Sequence, residues 1–257
     1  FRRVLFRSIL DVMIRLSDSG RLNLVLWICI TLVVVTASYR LKILKLSGAV
    51  AAFILGTLVF GIGGLPWMIP MGLFFGLSSI LSKLGRKRKS RFESVYEKSG
   101  NRDMMQVLAN AGLALPLVLL WFYTGDQLFY FAYLAGLAAA TADTWATELG
   151  AFSQGQPRNI LNMKTVTKGT SGGISILGTF SALLGSAALA ASGWLSAGLW
   201  GSESIMPSQV IAIITAGFVA SLLDSILGAS VQAQYQCAHC GNITEKRIHC
   251  DARSEQL

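Results

Sequence analysis

Three acidic residues of this chain lie in or at the end of long apolar segments: Asp143, Glu148 and Asp224. An ionised carboxylate inside a membrane costs about 2.5–3.5 kcal/mol even on the scale with the lowest values. Each acid therefore needs a partner, a cavity or a metal ion. For any one acid taken alone, a salt bridge to a lysine or arginine of a nearby loop is an equally good explanation.

A glycine-rich stretch, K-T-V-T-K-G-T-S-G-G, runs from Lys164 to Gly173 and opens the next apolar segment. Glycines let the backbone turn tightly, and a helix that follows them directs its first amides and its positive dipole end toward an anion. Lysines and hydroxyls nearby suit phosphate oxygens. Taken alone, such a stretch is more often an ordinary loop with a helix cap, and it is not a Walker A motif. The candidate residues are Lys164, Lys168, Gly169, Thr170, Ser171, Gly172 and Gly173.

Acids at a membrane segment's end, together with a glycine-rich turn, are typical of a site for a metal ion and a nucleotide. Helical spacing adds two polar stripes to this candidate site, each on one helix face. The first stripe comprises Asp103, Gln106 and Asn110, and the second comprises Ser221, Asp224 and Ser225.

The position of Glu148 on its helix is ambiguous. Asp143 and Thr147 share a helix face, whereas Glu148 is turned about 140° away from Asp143 in a regular helix. Either the helix unwinds before Glu148, or Glu148 serves a different partner.

The segments that position this candidate site are those of a polytopic membrane protein. Of 257 residues, 53% are hydrophobic and 14% are charged, whereas soluble domains carry about 25% charged residues. Seven apolar segments can cross a hydrocarbon core of about 30 Å, and backbone in lipid favours helix. The predicted fold class is therefore all-α, with about seven transmembrane helices. The segments are Leu22–Ser38, Gly48–Gly64, Pro66–Leu84, Met104–Thr124, Leu128–Thr147, Gly173–Gly193 and Ser208–Ala229.

Basic residues indicate the orientation of these helices. From Leu22 onward every lysine and arginine falls in the loops on one side, which the positive-inside rule makes cytosolic. The N-terminus is then outside and the functional face is cytosolic. This asymmetry explains the net charge of +9 without a nucleic-acid partner. The basic loop 85–102 could also contact anionic headgroups of membrane lipids, or act only as a topological signal.

The chain divides into three parts. Residues 1–21 are expected to be a truncated N-terminal segment, in which residues 1–8 resemble a translated adapter; 22–230 form the membrane helical domain; and 231–257 form a truncated cytosolic tail. The tail has the spacing C-x2-C-x8-H-C, which could hold Zn²⁺, although reduced cytosolic thiols are equally compatible. The residues concerned are Cys237, Cys240, His249 and Cys250.

Four motifs occur in order along nearly the whole chain. They are A-D-T-W-A-T-E-L-G from Ala142, V-T-K-G-T-S-G-G-I-S from Val166, D-S-I-L-G-A from Asp224 and the cysteine pattern of the tail. Together they resemble an integral membrane family, long labelled a domain of unknown function, that includes the plant phytyl-phosphate kinase of tocopherol synthesis. The resemblance implies a bacterial inner membrane, or a plastid envelope or thylakoid type of membrane.

A more distant resemblance concerns the two halves of the site. Asp143-Thr144, with Lys164-Thr165 and the glycine-rich loop, is similar to the pattern of CTP-dependent polyprenol kinases and phosphatidate cytidylyltransferases. In those enzymes an Asp-Thr helix end and a K-T-x-x-G loop handle a metal ion and nucleotide phosphates. The resemblance implies phosphoryl transfer from a nucleoside triphosphate to a lipid phosphate, and makes Thr144 a candidate binding residue.

The leading hypothesis is a kinase that converts an isoprenoid (phytyl-like) monophosphate into the diphosphate. Asp143 and Asp224, with Glu148 as a further ligand, would hold Mg²⁺, and Lys164, Lys168 and the loop amides would neutralise charge on the transferring group. A transporter or lipid flippase is an alternative, because intramembrane acids also mark ion pathways. A non-catalytic membrane scaffold is a third.

Overall fold

A computed structural model describes residues 18–89, 101–200, 205–232, 235–237, 243–244, 248–249 and 252–256. The described part of residues 18–230 is dominated by helices, which confirms the predicted all-α polytopic membrane architecture. The helices are α1 (Asp18–Arg40), α2 (Leu46–Lys89), α3 (Met104–Ala111), α4 (Ala114–Thr124), α5 (Leu128–Gly150), α6 (Ile176–Trp200) and α7 (Pro207–Ser230). The adapter-like residues 1–8 lie outside the described residues.

Within the described ranges, four helical runs are long and apolar enough to cross a membrane. They are Leu46–Gly85, Met104–Thr124, Ile176–Leu199 and Pro207–Ser230, and Val25–Arg40 is a shorter apolar helix. Helix α5, which matches the fifth predicted segment, is the central helix: it packs against α2, α3, α4, α6 and α7. Its surroundings shield the polar residues of its C-terminal half from lipid, which a peripheral helix could not do.

Helix α2 contains two of the predicted segments, joined at Gly64. This residue has φ 67° and ψ −156°, which no helix accommodates. Residues 52–60 before it and 68–75 after it line the same cavity, so the run folds back on itself there. The predicted boundary between Gly64 and Pro66 is therefore at the observed turn.

Hydroxyl groups satisfy the backbone next to this turn. Pro70 has no N–H and cannot donate to the carbonyl of Pro66, four residues earlier. The hydroxyls of Tyr130 and Ser196 donate to that carbonyl instead, at 3.0 and 3.3 Å. Buried backbone carbonyls need such partners within the protein, so these two side chains stabilise the hairpin of α2 against α5 and α6.

The fourth predicted segment, Met104–Thr124, is one apolar helical run with a local irregularity. Helix α3 ends at Ala111 and α4 begins at Ala114, although Gly112 and Leu113 between them keep right-handed helical dihedral angles. Pro116 accounts for the interruption of the hydrogen bonds, because it cannot donate to the carbonyl of Gly112 and its ring crowds that carbonyl. The predicted segment is therefore confirmed as a helical run.

Small residues bring α5, α6 and α7 into close contact, both at the end where the predicted site lies and in the middle of the bundle. A Cβ added at Gly150 of α5 would lie 3.3 Å from the Cα of Gly178 on α6. A Cβ at Gly217 of α7 would overlap Ala138 and Ser186. Such small residues allow the helix backbones to approach closely in a membrane protein, which brings the polar faces of these helices together.

Short strands complete the described structure. Strand β1 (Arg158–Asn159) pairs antiparallel with β2 (Gly173–Ile174) in the loop between α5 and α6. The tail forms an antiparallel sheet in the order β4-β3-β6-β5. Its strands are β3 (Tyr235–Cys237), β4 (Ile243–Thr244), β5 (Ile248–His249) and β6 (Ala252–Gln256). These tail strands are an addition to the confirmed all-α membrane architecture, and strands of two to five residues are too short to show a clear alternating pattern in the sequence.

Candidate functional site

A polar cavity of about 250 Å³ lies where α5 and α7 end and α6 begins. The acids and the glycine-rich loop, predicted separately from the sequence, meet in it. The predicted residues that line it are Asp143, Lys168, Gly169, Thr170, Ser171, Gly172, Gly173, Ser221, Asp224 and Ser225.

Helix α5 presents Asp143 to this cavity through ordinary helical periodicity. Asp143 and Thr147, one turn apart, both line it, as their shared helix face predicts. Thr144 does not line the cavity: its hydroxyl donates to the carbonyl of Ala140 at 2.8 Å. The structure therefore separates the two members of the Asp143-Thr144 pair, and only the acid faces the cavity.

Helix α7 contributes the second acid. Asp224 and the buried Ser221 line the polar cavity together with Ser225, whose hydroxyl donates to the carbonyl of Ser221 at 3.2 Å. The stripe predicted on this helix thus lies on the face that points toward α5. Asp143, Ser221 and Asp224 also line a second cavity of about 330 Å³, whose other walls are mostly apolar.

The glycine-rich loop is held against both strands and helix α7. Its Gly172 carbonyl accepts from the amide of Ile160 at 2.9 Å, next to the β1–β2 pair. Gly169 and Gly172 have φ 95° and 73°, a left-handed conformation that favours glycine. A Cβ at Gly172 would overlap Ala229 of α7, so the backbone of the loop lies directly on that helix.

Lys168 places a positive charge on the wall of the cavity. It is half-buried, and its ammonium donates to the carbonyl of Ser153. This hydrogen bond anchors the side chain to the loop that follows α5. An anion in the cavity would lie within the electric field of the ammonium group.

Two of the loop amides donate hydrogen bonds to carbonyls of the loop itself. The amides of Thr170 and Gly173 donate to the carbonyls of Thr167 and Thr170, at 3.2 and 3.0 Å. Helix α6 begins at Ile176, three residues after Gly173, and Ser175 accepts from the amide of Gly178 at 3.1 Å as its N-cap. Ser175 and Gly178 line the cavity, so the N-terminal end of the helix faces the site as predicted.

Lys164 lies outside the cavity. It is exposed, and its backbone closes a turn: its amide donates to the Asn162 side chain at 3.0 Å and its carbonyl accepts from Asn159 at 2.8 Å. Met163 within the turn has φ 56°. This turn places Lys164 on the outer edge of the loop, and the structure does not support a role for it in the cavity.

Glu148 faces away from the two aspartates, because α5 stays helical through Gly150. Its side chain is only 8% exposed, accepts from the Ser82 hydroxyl at 2.9 Å and lies against Gly85 of α2. Burial lowers the pKa of the Arg102 guanidinium, and the negative charge of Glu148 acts in the opposite direction. Of the two alternatives that the sequence left open, the second is supported: the helix does not unwind before Glu148, and Glu148 has a different partner, Ser82.

The structure consequently does not support Glu148 as a third Mg²⁺ ligand. In the part of the chain that the structure describes, no group of three or more acids, histidines or cysteines could hold a metal ion. Two carboxylates, Asp143 and Asp224, share the polar cavity. Cys240 and Cys250 lie outside the described residues, so the Zn²⁺ site of the tail stays a prediction.

Two residues of the stripe on α3, Asp103 and Gln106, have a different role from the one predicted. Asp103 caps the helix: its carboxylate accepts from the amide of Gln106 at 3.1 Å, and the Gln106 side chain accepts from the amide of Asp103 at 3.0 Å. This reciprocal capping box occupies both polar groups. Gln106 and Asn110 line a third, apolar cavity of about 440 Å³ between α1, α2 and α3. Asn110 alone of the stripe reaches the second cavity.

Several cavity residues were not predicted. Ser153, Ser175, Thr179 and Gln232 line the polar cavity, and the Gln232 side chain accepts from Ser171 at 2.9 Å. Ser175 had a signal in the sequence, since serine directly before an apolar helix is a frequent N-cap. Ser153 and Gln232 lie in ordinary loop sequence, and only the fold brings them to the site.

Comparison with known proteins shows similarity along most of the chain. A family model described as integral membrane protein DUF92 matches residues 29–256. Protein PGR of Arabidopsis thaliana is 31% identical over 243 residues, covering 87% of this chain and 84% of that protein. An uncharacterized membrane protein of Methanocaldococcus jannaschii is 30% identical over 220 residues, covering 86% and 84%.

A chloroplastic protein of Arabidopsis thaliana, Protein VTE6, is 26% identical over 194 residues, covering 74% of this chain and 56% of that protein. No solved structure matches this chain.

Proposed function

This chain belongs to the family of integral membrane proteins described as DUF92, and we propose that it is a membrane kinase for isoprenoid phosphates. It transfers a phosphoryl group from a nucleoside triphosphate to an isoprenoid (phytyl-like) monophosphate and releases the diphosphate. The observation that carries the proposal is the polar cavity in which Asp143, Asp224 and the glycine-rich loop meet. The acceptor class comes from the motifs that resemble the family of plant phytyl-phosphate kinase.

Asp143 and Asp224 would hold Mg²⁺ in this proposal. Mg²⁺ is usually bound by one or two carboxylates together with substrate phosphates, so the two aspartates suit it without Glu148. The bound ion supplies neutralisation of the charge on the triphosphate.

Lys168 and the start of α6 would receive the phosphates of the nucleotide. The Lys168 ammonium is anchored at the cavity wall by the carbonyl of Ser153, and the N-terminal end of α6 adds a partial positive charge. Groups that are already oriented toward developing charge stabilise a phosphoryl-transfer transition state without reorganising.

The reaction does not need a strong general base. A phosphate monoester is mostly dianionic near neutral pH, because its second pKa is about 6. One of its oxygens forms a bond to the γ-phosphorus, while the bond from that phosphorus to the β–γ bridging oxygen breaks and the nucleoside diphosphate leaves. The cavity therefore has to position and neutralise charge, and its aspartates, lysine and hydroxyls can do both.

The test is the activity of Asp143→Asn and Asp224→Asn proteins toward phytyl phosphate and each nucleoside triphosphate. We expect diphosphate formation to fall at least about 100-fold, as when a charge-stabilising group is removed from an active site. Asp126→Asn is the matched control: Asp126 lies between α4 and α5 and accepts from the amide of Leu128 at 2.9 Å, which asparagine can also do.

Folded Asp143→Asn and Asp224→Asn proteins that keep full activity would show the site assignment to be wrong. Flux of a substrate across proteoliposomes without nucleotide consumption would instead support the transporter or flippase alternative.

A further inference from the structure

The second cavity extends from the two aspartates into the membrane-spanning part of the bundle. It shares Asp143, Ser221 and Asp224 with the polar cavity. It also reaches Tyr133, which precedes Asp143 by ten residues of α5, a distance of about 15 Å along a helix. A molecule that fills it would have one end among the carboxylates and the other among apolar side chains.

Helices α3 and α4 form one wall of this cavity. Ala111, Leu113 and Ala114, at the junction of the two helices, line it. The backbone at this junction keeps right-handed helical dihedral angles, and the small side chains of Ala109, Ala111 and Ala114 leave space beside α5.

Small residues of α5 and α7 form the opposite wall. Gly136, Ala139 and Ala140 of α5 and Ala220 of α7 line the cavity. A Cβ added at Gly136 would meet no atom within 4 Å. Gly217, by contrast, is tightly filled by neighbouring atoms, whereas Gly136 is exposed, so a side chain added there has room on the open side of the cavity.

We propose that this second cavity binds the isoprenoid chain of the acceptor lipid, which rests on the kinase function proposed above. The chain lies between α3, α4, α5 and α7, and its phosphate lies at Asp143 and Asp224, at the boundary with the nucleotide side. The apolar walls match a hydrocarbon chain, and the shared acids place the phosphate beside the polar cavity. The space beside Gly136 then determines which isoprenoid chains fit.

The third cavity does not meet these conditions, although it is larger and more apolar. It shares no residue with the polar cavity. A chain bound there would leave its phosphate away from both Asp143 and Asp224. Of the two apolar cavities, only the second would bring the phosphate of a bound isoprenoid lipid to Asp143 and Asp224.

Three glycine substitutions separate these possibilities. Gly136→Leu adds a side chain to the lining of the second cavity, and Gly72→Leu adds one to the lining of the third. Gly198→Leu is the background control, because Gly198 on α6 is exposed like the other two glycines but lines none of the three cavities. At all three positions an added Cβ meets nothing within 4 Å, so each variant can fold without a clash at that atom. The thermal midpoint of each variant checks that it is folded.

The measurement is binding of radiolabelled phytyl phosphate to the purified full chain without nucleotide. We expect Gly136→Leu to weaken binding roughly tenfold, because displacing about two methylenes from an apolar site has an effect of that size. Gly72→Leu and Gly198→Leu are expected to bind as the unmodified protein does.

Unchanged binding by Gly136→Leu, loss of binding by Gly72→Leu, or no binding by the unmodified protein overturns this inference. The kinase proposal fails separately. If phytyl phosphate binds and Gly136→Leu weakens it, yet no nucleotide yields the diphosphate, the chain site stands and the kinase function does not. If transfer occurs and Gly136→Leu leaves the KM for phytyl phosphate unchanged, the kinase stands and the chain site does not.

Discussion

Asp143 and Glu148 are five residues apart on α5, and the helix gives them different tasks. Asp143 lines the polar cavity. Glu148 is buried against α2, where it accepts from Ser82 and its charge acts on Arg102. Removing the charge of Glu148 would take away the electrostatic stabilisation that it provides to the half-buried Arg102. At the scale of residues, Glu148 is therefore a structural carboxylate that joins the end of α5 to α2 and to the start of α3.

Glu148→Gln is expected to lower stability without changing the metal dependence of activity. The loss of the charge beside Arg102 should destabilise the protein by about 1–3 kcal/mol, measured as a lower midpoint of thermal unfolding in detergent. Ser82→Ala should cost less, about 0.5–1.5 kcal/mol, because it removes one neutral donor. The two effects should not add, since both act on the same hydrogen bond.

A change in the Mg²⁺ concentration needed for half-maximal activity of Glu148→Gln, with unchanged stability, would contradict this role. It would return Glu148 to the metal site.

Sequence reasoning could identify individual acids because it depends on local rules. A charge in an apolar segment is costly, and helical spacing places Asp143 with Thr147 and apart from Glu148. The same reasoning could not assign Asp103 and Gln106, because a capping box and a ligand stripe use the same residue types three apart. Which role applies depends on whether another element faces the helix end, and that is a property of the fold.

At the scale of elements, the loop from β1 to α6 depends on the contact between Gly172 and α7. Gly172 combines a positive φ with a position directly on Ala229. The loop is therefore held between strand pairing on one side and helix α7 on the other. This contact links the glycine-rich half of the site to the helix that bears Asp224.

Gly172→Ala is expected to displace the loop. The left-handed conformation alone costs a residue with a Cβ about 1–2 kcal/mol, and the overlap with Ala229 adds to that. We expect the KM for the nucleoside triphosphate to rise at least about tenfold, with a smaller change in the KM for phytyl phosphate. Gly76→Ala on α2 is the control, because a Cβ there meets nothing within 4 Å.

Equal nucleotide KM values for Gly172→Ala and the unmodified protein would show that the loop does not contact the nucleotide through this geometry.

The irregularities in two membrane segments differ in how far the sequence predicts them. The turn at Gly64 could be predicted, because G-I-G-G and Pro66 separate two segments that are each long enough to span. The interruption at Gly112 could not, because the apolar run from Met104 to Thr124 continues through Pro116, and proline is tolerated in many membrane helices. Gly112 keeps helical dihedral angles, so Pro116 interrupts the hydrogen bonds of this run without turning the chain.

At the scale of the whole molecule, the ends of several helices meet around one face. The amide of Lys45 before α2 donates to the carbonyl of Arg102 before α3, at 2.9 Å. The far end of α2, at Gly85, lies against Glu148 of α5. The basic loops that predict a cytosolic face are thus attached to the same end of the bundle as the polar cavity, and the predicted orientation would give the proposed site access to cytosolic nucleotide.

This arrangement predicts a definite pattern of labelling by a membrane-impermeant maleimide. Asp126 and Lys164 are both exposed, in loops at opposite ends of α5. We would introduce Asp126→Cys or Lys164→Cys after replacing the four native cysteines by alanine. In intact cells Asp126→Cys should be labelled, and Lys164→Cys should be labelled only after the membrane is permeabilised. Retained phytyl-phosphate binding would confirm that each variant is folded. The reverse pattern would place Asp143, Asp224 and the glycine-rich loop on the outer face, where nucleoside triphosphates are scarce, and would contradict both the topology and the kinase proposal.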